Sequence, residues 1–126
     1  MAVHIDLRSA KVTELLAEPR ATLLIWEQKA RLQIRLRVQV EVKSGQTVTA
    51  DWQRVPESGR RVYGTQPTPG TSMDKPGQIT QQSDPSMFAV LVCHITEIET
   101  LHLGDDLHNR AKFCANNSWI GSWHAL

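Results

Sequence analysis

Cysteine is scarce in this chain, neither sign of charge dominates, and no long hydrophobic run occurs. The two cysteines, Cys93 and Cys114, show no framework spacing. That excludes a disulfide scaffold and fits a reducing, cytoplasmic setting. Fourteen basic residues stand against 13 acidic ones, which argues against general nucleic-acid binding. The longest apolar run, Phe88–Cys93, falls far short of the roughly 20 residues of a membrane span. The opening Met-Ala-Val-His-Ile-Asp has no basic n-region and no apolar h-region, so it does not read as a signal peptide. Gly-rich phosphate loops, nucleophile elbows and paired-carboxylate motifs are absent. Cys93, His94, His102, His108, Cys114 and His124 fit no zinc spacing, so no metal is expected. Asn116-Asn117-Ser118 matches a glycosylation sequon that has no meaning in the cytoplasm. No internal repeat is visible.

What is present is one strongly patterned segment. Over residues 31–42, Leu32, Ile34, Leu36, Val38, Val40 and Val42 alternate without a break with Arg31, Gln33, Arg35, Arg37, Gln39 and Glu41. Successive strand side chains point to opposite faces, so this is a half-buried β-strand, expected to be the longest of the fold. Its polar face carries three arginines and two glutamines, with the acid only at the end. One reading is an anion site, such as one for phosphate, because Arg offers planar bidentate donors. The other is a charged edge strand that resists aggregation. Charge along the chain is uneven. Residues 1–43 hold eight Lys or Arg and five Asp or Glu, whereas residues 44–126 hold six and eight. An anion site is therefore expected in the first third.

The 126 residues make a single domain. Val3-His4-Ile5 reads as the end of a short strand, which must pair further along or with another chain. Ser9 can cap a helix running to about Glu18, with Val12, Leu15 and Leu16 inward and Pro19 as the stop. Ala21–Trp26 reads as a buried strand and Glu27–Ala30 as a turn. Ser44-Gly45 is a turn, and Thr47–Arg54 reads as a helix carrying Val48 and Trp52, with a second short helix after Pro56. Residues 64–86 form a loop rich in Pro, Gly, Thr, Ser and Gln, long enough to be functional or mobile. Phe88–Ile95, Ile98–Leu103, Arg110–Cys114 and Trp119–Trp123 read as strands, with a turn at Gly104-Asp105-Asp106. Trp52, Trp119 and Trp123 are expected in the core or at an interface. About six strands and two or three helices predict a small α+β fold, a barrel with helices packed against it.

Several segments in this order carry a resemblance. His4-Ile5-Asp6-Leu7-Arg8-Ser9-Ala10-Lys11-Val12 is followed by Glu18-Pro19-Arg20-Ala21 and by Arg31-Leu32-Gln33-Ile34-Arg35-Leu36. Then come Trp52, Val55-Pro56, Tyr63, Pro69-Gly70-Thr71, Leu101-His102-Leu103-Gly104, His108-Asn109-Arg110-Ala111-Lys112-Phe113 and a closing Trp119…Trp123. Together they resemble the FMN-binding split barrel of the pyridoxamine 5′-phosphate oxidase family, in a bacterial oxidase-like branch. The resemblance implies an antiparallel split β-barrel across residues 1–126, FMN as cofactor, and a two-fold homodimer.

Residue by residue, the resemblance implies that Ser9 and Lys11 contact the flavin phosphate and that Gln33 touches FMN from its strand. It implies that Arg110 reaches FMN in the partner subunit and that His108 lies near the substrate. Read without the resemblance, Ser9 is a plain N-cap, Lys11 a solvated lysine, Gln33 a solvated strand residue, Arg110 a surface arginine and His108 structural. There are departures. Ala10 replaces a second basic phosphate ligand, Ile5 replaces a threonine, and Leu101 replaces a flavin-contacting tryptophan. The turn Gly104–Leu107 is a residue short and lacks a phosphate-binding arginine. The family's preceding helix and strands have no counterpart before Met1, which implies a fragment, a misassigned start, or a barrel completed by another chain. These departures predict weak FMN binding.

The function expected is a flavin-dependent oxidoreductase on a substrate that the residues do not name. The alternatives are a flavin-binding module without turnover and a cofactor-free dimeric remnant.

Overall fold

The computed structural model describes all 126 residues. Six strands carry the fold: β1 (Ala2–Asp6), β2 (Arg20–Glu27), β3 (Leu32–Ser44), β4 (Phe88–Leu103), β5 (His108–Cys114) and β6 (Gly121–His124). Three short helices, α1 (Ala10–Ala17), α2 (Thr49–Arg54) and α3 (Glu57–Arg60), complete it. The sheet runs in the order β2-β3-β4-β5-β6, with β1 paired to β4 off this path. It has two ends and does not close, and the β1–β4, β2–β3, β4–β5 and β5–β6 ladders are antiparallel. The chain divides into two compact units. The first holds Met1–Pro19 and Val40–Cys93, the second Arg20–Gln39 and His94–Leu126. No helix is long and apolar enough to cross a membrane.

In the first unit, the opening strand finds its partner within the same chain. Ala2 through Asp6 pair with Val92 back to Phe88. Helix α1 begins where Ser9, in an extended conformation, accepts a bond from the Lys11 N–H at 3.4 Å. That relieves one of the N–H groups every helix start leaves unpaired. The core gathers Val48, Val55, Phe88 and Val90, with Trp52 and Tyr63 packed on them. Phe88 is fully buried, its ring 5.1 Å from Tyr63 and 5.2 Å from Trp52 by centroids. Trp52 is thus a core residue, as expected, while Trp119 and Trp123 are exposed. Residues 64–86 form no helix or strand apart from an antiparallel bridge between Gln66 and Thr80 and a final 3-10 turn, Pro85–Met87.

The second unit corrects several expectations. β3 alternates as its sequence demands, but only Leu36, Val38 and Val40 are buried, whereas Leu32 and Ile34 are half-buried. β4 is the longest strand, 16 residues against 13 for β3. Thr96 and Glu97 do not interrupt it, because the ladder is made by backbone groups, whatever the polarity of the side chains. Arg31 lies in the β2–β3 turn with φ +51° and is not the first residue of the strand. β6 begins at Gly121, later than Trp119, since Ser118 and Trp119 both adopt positive φ. The largest error concerns β2. Its apolar sequence suggested burial, yet Leu24 is 63% and Trp26 50% exposed. A strand at the end of a sheet covers only what packs on it, and apolar content alone does not say what does.

One buried carboxylate organises the entry to the first unit. Asp6 is the buried polar residue at the end of β1. Its Oδ1 accepts from Arg8 Nε at 3.0 Å and from the Arg8 backbone N–H at 2.9 Å. Its Oδ2 accepts from Arg8 Nη2 at 2.9 Å and from the Gly64 N–H at 3.3 Å. Arg8 Nη2 also donates to the Thr65 carbonyl at 3.0 Å. Gly64 is required here. Its φ is +110°, and a Cβ would come within 2.8 Å of Asp84 Cβ and 2.9 Å of the Gln82 carbonyl. Burial would raise the Asp6 pKa, but the bonds from Arg8 and Gly64 outweigh it and hold the carboxyl below its usual value.

Removing a buried, fully bonded carboxylate leaves Arg8 uncompensated. Asp6→Ala is expected to cost about 3 kcal/mol in urea unfolding at neutral pH. Because the folded pKa is depressed, the contribution is complete above the unfolded value of about 3.9 and is lost as pH falls through the lower folded value. The stability gap between the parent and Asp6→Asn should therefore narrow in unfolding curves below about pH 4. A gap that stays constant down to about pH 2 would refute the linkage.

Candidate functional site

In the second unit the register places the expected flavin and substrate residues on one face of the sheet. Directly opposed residues in an antiparallel pair share a face. Gln33 faces Trp26, Arg35 faces Leu24 and Arg37 faces Thr22 across β2 and β3. Across β4 and β5, Glu99 faces Lys112, Leu101 faces Arg110 and Leu103 faces His108. The two ladders meet at Glu99, whose Oε1 lies 4.0 Å from Arg35 Nη1 and 3.6 Å from Arg110 Nε. Gln33, Arg35, His108 and Arg110 therefore line one common face.

That face answers the question its sequence posed. The anions met by the arginines of β3 are the protein's own carboxylates. Glu97 takes Lys112 at 3.0 Å and Arg37 at 3.6 Å, Glu99 takes Arg35 and Arg110, and Asp105 takes Arg31 at 2.7 Å in the turn. The one-signed pattern read along β3 is balanced across the sheet by β4. An external anion is thus not needed to explain these arginines. The compensation is incomplete at one atom. Arg110 Nε is buried and, at 3.6 Å from Glu99, makes no hydrogen bond. A buried N–H donor without an acceptor costs about 1–3 kcal/mol, so a ligand oxygen here would be favoured.

Ser9 and Lys11 belong to the first unit. The Ser9 hydroxyl caps α1, as the bland reading held, but in accepting from Lys11 N–H it keeps its own proton to donate. No acidic residue stands in the first turn of α1, so the positive end of its dipole is unopposed within the helix. Lys11 is exposed.

The residues that sequence reasoning missed are carboxylates and their partners. Glu99 sits in a stretch read simply as strand, and Glu97 in the gap left between two strands. Their i, i+2 spacing was the available signal that they share a face. Asp6 and Arg8 were quoted only as part of a longer pattern. Cys93 is buried and its thiol is pushed up by that burial, so it offers no thiolate for chemistry.

Two solved structures have this fold over 99% of the chain. One is a pyridoxamine 5′-phosphate oxidase-related, FMN-binding protein from Nostoc punctiforme, with TM-score 0.78 and 22% identity, of which 71% is covered. The other is PhzG from Burkholderia lata, in complex with tetrahydrophenazine-1-carboxylic acid, with TM-score 0.80 and 16% identity, of which 68% is covered. No family model matches the chain, and no curated protein does. The fold, mostly antiparallel sheet with a few helices, is therefore that of the split barrel which the sequence resembles.

Glu97 is only 16% exposed between two cations. Glu97→Gln should lower stability by about 1 kcal/mol at low ionic strength, the upper end of the range for surface pairs. The loss should shrink by half or more in 1 M salt, where the screening length is about 3 Å. A salt-independent loss in denaturant titrations would mean that packing, and not charge, is the contribution of Glu97.

Proposed function

We propose that this chain is an FMN-binding protein and, with a substrate still to be identified, a flavin-dependent oxidoreductase. The observation that carries the reading is the unsatisfied Arg110 Nε on the same sheet face as Gln33 and His108, in a fold shared with an FMN-binding protein. Gln33 offers an amide that can both donate and accept, suited to the mixed edge of a flavin ring. Arg110 supplies the buried donor, to the flavin of the partner subunit in the proposed dimer. Ser9 and Lys11 supply a hydroxyl, a helix start and an ammonium suited to a phosphate monoester. His108 is placed for substrate. Bound FMN would provide the hydride or electron chemistry, and the protein's task is to hold and orient it and to exclude water.

A second reading, flavin binding without turnover or a cofactor-free remnant, has one observation in its favour. Arg35 and Arg110 are already engaged by Glu99, so a ligand must compete with a resident carboxylate. This supports weak FMN binding, micromolar or worse. We also propose a homodimer working in the cytoplasm. The exposed Leu24, Trp26, Ile120 and Trp123 give more apolar surface than a small monomer leaves uncovered.

FMN titrated into the chain should show saturable quenching of flavin fluorescence. Lys11→Ala should weaken it about 10- to 100-fold, the value of one charge-assisted contact. Equal affinity in both proteins would remove Lys11 from the site, and no binding in the parent would favour the cofactor-free reading. Light scattering at micromolar concentration should report twice the 14.2 kDa of one chain. A single-chain mass would count decisively against the dimer.

A further inference from the structure

The sheet face that carries Gln33 also carries an indole. Trp26 of β2 lies directly opposite Gln33 of β3. Directly opposed residues share a face, with Cβ atoms about 4.5–5.5 Å apart. On the other side of Gln33 stands Leu101 of β4. The Arg31 carbonyl accepts from the Leu103 N–H at 2.9 Å, and Arg35 and Arg37 meet Glu99 and Glu97, which sets Leu101 beside Gln33. Trp26, Gln33 and Leu101 thus form one row across three strands, all within the second unit.

The indole of Trp26 has no partner of its own kind. It is half exposed. The ring–ring and cation–π contacts of the protein all lie in the first unit, around Phe88 and Trp52. Apolar surface left in water forgoes about 25 cal/mol for every Å² that could be covered. The other exposed indoles are placed elsewhere. Trp123 faces Ala111, next in sequence to Arg110, and so lies on the opposite side of the sheet. Trp119 lies in the turn before β6. The next row beside Trp26 holds Leu24 opposite Arg35, whose charge Glu99 answers. The surface around the indole is therefore apolar and close to neutral.

We propose that Trp26 is the ring-binding residue of the flavin site, its indole stacked on the face of the flavin ring while the Gln33 amide holds the ring's polar edge. The inference rests on the flavin reading of this face and adds to it the group that recognises the ring. A flat heteroaromatic ring presents two kinds of surface, an apolar π-face and a rim of donors and acceptors. Two adjacent strands supply a partner for each, an indole for the face and an amide for the rim. The attraction is stacking and apolar burial, so it acts on the ring whether or not a phosphate is attached.

The test uses the whole chain and its variants Trp26→Leu and Trp26→Phe, with FMN and the phosphate-free riboflavin titrated by calorimetry. Trp26→Leu should weaken both ligands about tenfold, and by the same factor, because only the ring contact is lost. Trp26→Phe keeps a ring and should recover most of the affinity. Flavin emission gives an independent readout. An indole in contact quenches it by lending an electron to the excited ring, and a phenyl group does not. Flavin bound to Trp26→Phe should therefore be brighter than flavin bound to the parent. Trp26 also belongs to the exposed apolar surface available to a second chain. Leucine keeps that surface apolar, and unfolding curves and light scattering matching the parent show that fold and assembly are intact. Unchanged affinity in Trp26→Leu, a loss seen with FMN but not riboflavin, no recovery with phenylalanine, or a loss that accompanies a change of mass would each overturn the proposal. Those outcomes leave the flavin reading standing, whereas a parent that binds neither ligand would remove both.

Discussion

The polar face of the second unit depends on two carboxylates, Glu97 and Glu99, spaced two apart on β4. Four cations from the neighbouring strands gather on them, Arg35 and Arg37 from β3, Arg110 and Lys112 from β5. Without these acids, like charges would stand side by side across three strands, which destabilises cross-strand pairs. With them, the sheet tolerates an arginine-rich surface. The pairs are long, 3.0 to 4.0 Å, so the network is neutralising but loose.

The first unit solves a similar problem differently. Asp6 is buried, and its bonds from Arg8 are short and directed. One guanidinium binds it in two places, and a glycine N–H reaches it because Gly64 has no side chain. A desolvated charge must be paired this closely or the fold would shed it. The result ties the end of β1 to the start of the long irregular segment 64–86. The contrast separates two kinds of ion pair in one small protein, one that closes structure and one that leaves chemistry open.

This contrast frames the functional reading. The fold is shared with an FMN-binding protein, but a fold hosts many functions, and the site must carry the argument. In the second unit the face offers a buried donor on Arg110 without a hydrogen-bond acceptor, with a glutamine and a histidine beside it on the same side of the sheet. It also offers Glu99, which competes for Arg110 and its neighbour Arg35. Under the flavin reading proposed above, both together predict weak binding.

The sequence by itself determined most of the elements. The unbroken alternation of residues 32–42 set β3 and its inward face, Ser9 and Pro19 bounded α1, and Trp52 with Val48 announced a core helix. Period and capping are local, so they can be read without knowing what lies alongside. The order of motifs also led to the right fold. Tertiary structure alone decided what each face meets. The arginines of β3 looked unopposed because Glu97 and Glu99 lie some sixty residues away, and pairing of charges across a sheet has no local signature. β2 looked buried because its composition is apolar, but burial depends on the layer laid over a strand. Gln33, Arg35, His108 and Arg110 became neighbours only through the register of two ladders, and that register is fixed by long-range packing.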